Sequence, residues 1–556
     1  MKKQWWHDKV AYQIYPKSFC DSNSDGIGDI NGIISKLDYL KSLGVDIVWI
    51  SPMYKSPFVD QGYDISDYYA IDEKFGTMED FENLLAEAKK RDMYILMDLV
   101  VNHCSDEHEW FKKAMADPHG KYRDYFYIRE GKDGKEPSNY RGYFGGNTWD
   151  KVPGEDNLYY FHAFHKRQPD LNWENPEVRE EIYKMMNWWL GKGLRGFRID
   201  AIINIKKNTL FPTYEPDGED GLVRVTRNVE DADGINDFLR EMKEKTFAPH
   251  NAFTVGEVFN LKKEDMVAFV GEDGHFSTMF DFTGEILDTG HRDWTDTSRI
   301  DFTEWRDLTF KSQAEMQDIG FLANIVENHD EPRGASRYLP EYACNDDGKK
   351  MLATAYMMLR GIPFIYQGQE IGMVNCPRED ISCYDDIASH DRYNKAIRRG
   401  FTPAQALEAC HRHSRDNART PVHWDDSDNA GFTDGTPWAP VDKDYKEINV
   451  AKQEKDENSV LSYYKKLISL RKSPNYSERI VYGETIPVFT EEKMLFGYER
   501  KGKTDTILVL CNFADKDITL DLTKLQKKYT KVLLSNKPVE LCDTLVLTPA
   551  EALILD

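Results

Sequence analysis

Short, near-continuously apolar runs recur along the chain, most of them set apart by longer stretches with helical spacing. The runs are VAYQIY from Val10, VDIVWISP from Val45, YILMDLVVNH from Tyr94, GFRIDAI from Gly196, FTVGEV from Phe253, FSTMFDF from Phe276, FLANIVENHD from Phe321 and IPFIYQGQEIG from Ile362. Strands buried on both faces read this way. Amphipathic stretches INGIISKLDYLKSLG, TMEDFENLLAEAKKRD and NPEVREEIYKMMNWWLGKG precede the second, third and fourth runs. Eight strands with intervening helices predict an α/β fold, a (β/α)8 TIM barrel, rather than a doubly wound sheet. No GxGxxG follows the first strand, so a nucleotide site has no support.

The pattern lapses twice. Residues 104–172, rich in Gly, Asp, Tyr and Asn, separate the third and fourth units and predict an inserted domain, because an excursion of that length is normally functional. After residue 481 the helical spacing stops, and the alternating segments PVFTEE, MLFGYERK, DTILVLCNF, KVLLSN and DTLVLT predict a small antiparallel β-sandwich. The expected organisation is barrel over 1–103, insertion over 104–172, barrel over 173–481 and C-terminal β domain over 482–556.

Composition narrows the function classes. With 556 residues, 40% hydrophobic and 13% aromatic, the chain is too large for a small binding module and should fold throughout. A net charge of -24 repels phosphate backbones and anionic membranes, which removes nucleic acid and membranes as partners. The N-terminus lacks the apolar core of an export signal, so a cytoplasmic protein is expected; a monomer is expected as well. Eight scattered cysteines without a CxxC pair are expected to be buried free thiols.

Chemistry in a barrel of this kind sits at the C-terminal ends of strands. The third run ends in Asp98, Asn102 and His103; the fourth carries Arg198 and Asp200; the fifth ends in Glu257; the seventh ends in Asn328, His329 and Asp330. A single polar strand end is ordinarily a cap or an ion pair, whereas four together point to one reacting mouth. No GxSxG serine and no cysteine paired with a strand-end His is present, so acyl transfer lacks a nucleophile. Several carboxylates without a metal-type His pair favour glycoside chemistry, in which one attacks the anomeric carbon and another protonates the leaving oxygen.

The stretches DLVVNH from Asp98, GFRIDAI, TVGEV from Thr254, ENHDEPR from Glu327, QPDLNW from Gln168, DQGYDISDY from Asp60 and RDNARTP from Arg415 resemble, in order, those of the α-amylase superfamily (glycoside hydrolase family 13). Within it the chain is similar to the bacterial α-glucosidase and oligo-1,6-glucosidase group. The resemblance implies Asp200 as nucleophile, Glu257 as general acid/base and Asp330 as the third carboxylate. It implies that Arg198 keeps the nucleophile ionised, that His103 and His329 bind glucose hydroxyls, and that Tyr63 stacks on the sugar. Asp60 and Arg415 match a pair that closes the glucose subsite in exo-acting members, with Phe144, Phe164 and Gln168 as further walls.

In DSNSDGIGD, oxygen ligands alternate at Asp21, Asn23, Asp25, the Ile27 carbonyl and Asp29, with Gly26 allowing the turn; this is hard-cation spacing and favours structural Ca2+ over Mg2+. Gly32 stands where an EF-hand has its bidentate Glu, and no organic cofactor is expected. The implied activity is a retaining exo-α-glucosidase acting on small α-linked oligosaccharides, cutting α-1,4 and also α-1,6 bonds. The alternatives are a sucrose isomerase or transglucosylase, a trehalose-6-phosphate hydrolase, or a non-catalytic relative. His291–Asp307 lacks the RLDRD-type stretch of sucrose isomerases, and the retained carboxylates speak against a non-catalytic chain.

Overall fold

A computed structural model describes every residue except 1, 133, 260, 262 and 283–292. Its centre is a closed parallel barrel of eight strands: β1 (Ala11–Ile14), β2 (Ile47–Ile50), β3 (Tyr94–Leu99), β4 (Gly196–Ile199), β5 (Phe253–Gly256), β6 (Thr278–Phe280), β7 (Leu322–Asn324) and β8 (Ile362–Tyr366). Each strand pairs with its sequence neighbours and β8 closes on β1. All eight lie within the apolar runs, because a strand covered by helices outside and side chains inside has no polar face. Trp49, Leu96, Phe253, Val255, Phe280, Ala323 and Phe364 form one buried cluster, so the barrel is packed rather than hollow. Gly196 opens β4 where a Cβ would lie 1.7 Å from the Phe253 carbonyl oxygen; only glycine lets these strands approach.

Local signals set the helix ends. Thr77 and Asp80 form a capping box at Met78–Lys90, and Asn175 caps Pro176–Gly191 with proline in the first turn. The stretch read as one helix from Ile30 is two, Ile30–Ser35 and Leu37–Leu43, because Lys36 leaves helical geometry at φ -106° and ψ 4°.

Between β3 and β4 a three-stranded antiparallel sheet, ordered Ile128–Glu130, Leu158–Phe161, Trp149–Lys151, stands above the barrel mouth. A second stretch of chain, from between β4 and β5, completes it. Val223–Arg224 pairs in parallel with Tyr140–Arg141, Arg141 binds Asp217 and Asp220, and Phe211 packs within 5.4 Å of Tyr127, Trp149 and Phe161. After the barrel, the antiparallel sheet holds Glu484–Pro487, Leu495–Lys501, Thr506–Asn512, Ala552–Leu555 and Val532–Ser535 in that order, beside a pair formed by Ile518–Asp521 and Thr544–Leu547. Leu508, Leu510, Leu520, Leu545 and Leu553 share one apolar cluster between them. All eight cysteines are free; Cys20, Cys104, Cys376, Cys410 and Cys511 are buried as expected, while Cys344 is half-buried and Cys383 and Cys542 are exposed. No helix among the described residues is long and apolar enough to cross a membrane.

Candidate active site

The register of the barrel builds the site. Arg198 on β4 lies opposite Asp98 on β3, and side chains two apart on a strand share a face, so Asp98, Arg198 and Asp200 meet. One Arg198 nitrogen donates to Asp98 and Asp200, both at 2.7 Å, and the other binds Glu257 at 2.7 Å. The polypeptide leaves β4 through Ala201 at φ 42°, an unusual conformation for a residue with a Cβ, and this turn aims the Ala201 amide at Glu257, 2.6 Å away. Glu257 is thereby fixed from two sides.

One guanidinium therefore serves three carboxyls. Burial pushes Asp200 and Glu257 up to about 7 and Asp98 to about 6, and the Arg198 charge only partly offsets this. Arg198 acts on Asp200 in the expected direction, drawing its pKa down against burial, and divides its charge among Asp98, Asp200 and Glu257. Asp330 is held the other way, well below the usual carboxylate range, by His329, Arg415 and Arg419 acting together against burial. Arg415 donates to it at 3.1 Å and Arg419 at 2.9 Å. One site thus holds one acid drawn down by its cations beside three pushed up by burial.

The two histidines sit differently from each other: His103 lines the cavity as expected, and His329 does not. Gln13 can only donate its amide N–H to His329 Nδ1, at 2.8 Å, so the neutral ring carries its proton on Nε2, which faces Asp330 at 2.9 Å. His329 is fully buried, burial lowers its pKa, and it fixes Asp330 instead of lining the cavity. Tyr63 stacks on His329 at 5.4 Å with rings 12° apart and donates its hydroxyl to Asp98 at 3.0 Å. His103 reaches the cavity wall with Nε2 held 3.0 Å from the Tyr63 carbonyl oxygen. Gln168, expected as a wall, stands behind it and donates to Asp60 at 3.1 Å.

A cavity of about 370 Å³ opens above these groups. Asp60, Tyr63, His103, Phe144, Phe164, Asp200, Glu257, Asp330 and Arg415 line it, whereas Gln168, Arg198 and His329 support it from behind. Asp60 and Arg415 do form an ion pair at 3.5 Å, but the short hydrogen bonds of Arg415 go to Asp386, at 2.6 and 2.9 Å, and to Asp330. Phe164 stacks on Tyr143 at 4.6 Å, and Tyr143 donates to Asn204 at 2.9 Å, joining the insertion to the end of β4. Sequence reasoning missed Asp386, Arg419, Tyr143, Phe259, Trp294 and Arg392; of these only Arg419, inside RDNARTP, lay in a recognised stretch.

The acidic loop lies elsewhere. Asp21 accepts the Asn23, Ser24 and Gly26 amides and the Thr433 hydroxyl, Asn23 accepts Asp25 N–H, Asp25 accepts Ile27 N–H, and Asp29 accepts from Ser22 and caps the next helix at Gly32. Each acceptance uses one lone pair, so the donor chemistry fits a hard cation. Among the described residues, however, no three or more His, Cys, Asp or Glu are gathered as metal ligands. Of His291–Asp307, residues 291 and 292 fall outside the described residues, and Asp301 caps the helix Phe302–Met316.

No serine or cysteine lines the cavity among the described residues, so its chemistry belongs to carboxyl groups, one able to attack and another able to give a proton. Such a barrel is a glycoside hydrolase. A family model described as the alpha-amylase catalytic domain matches residues 13–482, and the chain belongs to that family. It is 42% identical to the oligo-1,6-glucosidase of Bacillus cereus over 561 aligned residues, covering 100% of this chain and 99% of that one. Among solved structures, Bacillus licheniformis trehalose-6-phosphate hydrolase superposes with a TM-score of 0.92 at 40% identity over 100% of this chain and 99% of that chain. The isomaltulose synthase of Klebsiella sp. LX3 does so with a TM-score of 0.92 at 37% identity over 100% of both chains.

Proposed function

We propose that this protein is an exo-acting α-glucosidase that releases single glucose units, with retention, from the non-reducing ends of short α-glucosides, cutting α-1,4 and α-1,6 bonds. The observation that carries this reading is the cluster in the cavity wall where Arg415 binds Asp60, Asp330 and Asp386 at once, which we read as a closed end. A wall built of three ion pairs admits a chain terminus and excludes a through-running polymer.

In the first step Asp200 attacks the anomeric carbon while Glu257 gives its proton to the leaving oxygen. The bond to the leaving sugar breaks as a glucosyl ester forms. Glu257, now a carboxylate, takes a proton from water, whose oxygen attacks the same carbon and frees glucose and Asp200. Ionised Asp330 stabilises the positive charge that develops on the ring between these states. Two carboxyls sharing one guanidinium supports the ~5 Å spacing of retaining enzymes over the ~6.5–9.5 Å of inverting ones. Ala201 borders the cavity next to the nucleophile, and its single methyl leaves room for α-1,4-linked as well as α-1,6-linked leaving sugars. For the loop Asp21–Asp29 the oxygen-only donor set supports one structural Ca2+ remote from the reacting atoms.

The test is kcat/KM across maltose, isomaltose, sucrose, trehalose and trehalose 6-phosphate. Hydrolysis of maltose and isomaltose with release of the α-anomer of glucose is the expected result. Isomaltulose or trehalulose formed from sucrose, or a preference for trehalose 6-phosphate, would overturn it.

A further inference from the structure

Among the described residues, Arg392 is the one charged residue of the cavity wall with neither a hydrogen bond nor an ion pair. The other charges there are spent. Asp293 binds Arg399 at 2.7 Å, Glu331 binds Arg337, and Arg415 holds Asp60, Asp330 and Asp386. Asp386, Glu331 and Asp391 stand near enough to act on Arg392 by charge, but none engages its guanidinium by a hydrogen bond, so the outer cavity keeps a full set of unused donors.

Its position is fixed by the helix Ile387–Arg398. Asp386 caps that helix, accepting the Ala388 and Ser389 amides, and the same carboxylate grips Arg415, so the helix starts at the closed end of the cavity. Ala388 and Arg392 are four residues apart and share the face turned to the cavity. Along that face the surroundings change from buried, at Ala388, to exposed, at Arg392. The insertion crosses close by: a Cβ on Gly145 would lie 2.8 Å from the Asp391 carboxylate. Arg392 accordingly stands at the mouth, on the side from which a leaving group departs when glucose fills the closed end.

We propose that Arg392 is a specificity-determining residue for the leaving group, donating hydrogen bonds to hydroxyls of the sugar just beyond the bond that breaks. This rests on the reading that the closed end is the glucose site. Arginine suits the task because its planar fork reaches two adjacent hydroxyls at once, at little cost in side-chain freedom.

The test compares wild type with Arg392→Met and Arg392→Lys on maltose, isomaltose and α-D-glucosyl fluoride, whose leaving group is a single atom. Relative to its change on the fluoride, Arg392→Met should lose about tenfold or more in kcat/KM on at least one disaccharide, the usual weight of a hydrogen bond to a charged group. Arg392→Lys should recover part of that loss. Equal changes on fluoride and disaccharides, or none on either, would overturn the assignment. Wild-type turnover of the fluoride with none of either disaccharide would instead sink the substrate reading, and this proposal with it.

Discussion

Asp98→Asn tests the electrostatics of the site at a residue that does not itself line the cavity. Asp98 is fully buried and accepts from Trp49, Tyr63 and Arg198. The substitution keeps its shape and removes one of three negative charges on a single guanidinium. Arg198 then serves only Asp200 and Glu257, both held up near 7 by burial in the wild type. Asp200 must be ionised to attack, so activity is lost as pH falls through the lower apparent pKa of the pair. Glu257 must be protonated to donate, so activity is also lost as pH rises through the upper one. Removing a like charge lowers both. We expect the two limbs of the kcat/KM profile to move together toward acid by about one pH unit, ~1.4 kcal/mol of altered interaction. The assay is initial-rate kinetics on an aryl α-glucoside across the pH range, with circular dichroism to check folding. Limbs that stay in place while kcat collapses would refute the shared-guanidinium account and leave Asp98 a purely structural acid.

Asp200→Asn and Glu257→Gln should each lower kcat by several orders of magnitude with little change in thermal stability, measured by turnover and calorimetry; more than a tenth of wild-type turnover in either would contradict its role. Arg415→Met leaves buried Asp386 without its main cation and should cost about 3 kcal/mol at pH 7. Because Asp386 is held below its usual pKa of 3.8, that contribution is present above pH 4 and fades as pH falls, so urea titrations of wild type and variant should converge in acid. Calcium at millimolar concentration should raise the melting temperature relative to chelator while kcat changes little, and identical melting curves would count against a bound ion. Ala201→Val adds two methyls at a position with φ 42°, where a β-branched residue is also strained, and should shift the maltose-to-isomaltose ratio of kcat/KM toward isomaltose.

The barrel was legible because parallel strands buried on both faces leave unbroken apolar runs, and every strand from β1 to β8 falls inside one. The polar strand ends were legible for a complementary reason: Asp98, Asn102, His103, Arg198 and Asp200 interrupt or end runs that are otherwise apolar. What stayed hidden lies where no period applies. Asp386 and Arg392 come from the long segment after β8, and Tyr143 from a turn of the insertion, so only the folded chain sets them around the cavity. The C-terminal region read less accurately. Its first strand is Glu484–Pro487, ahead of most of PVFTEE, and Ile518–Asp521 and Ala552–Leu555 lie outside every segment read as a strand.

The aromatic core beneath the insertion has a bearing on how the protein is made. Tyr127, Trp149 and Phe161 come early, but the ring that fills the space between them is Phe211, and the strand that clamps Tyr140–Arg141 is Val223–Arg224. During synthesis the cavity roof is therefore left without its keystone until the ribosome has passed β4 and the nucleophile it carries. A chain that ends before residue 211 lacks the ring that packs on Tyr127, Trp149 and Phe161. The residues that complete the roof thus follow the nucleophile in the chain, so the pocket is whole only when segments from both sides of β4 are present.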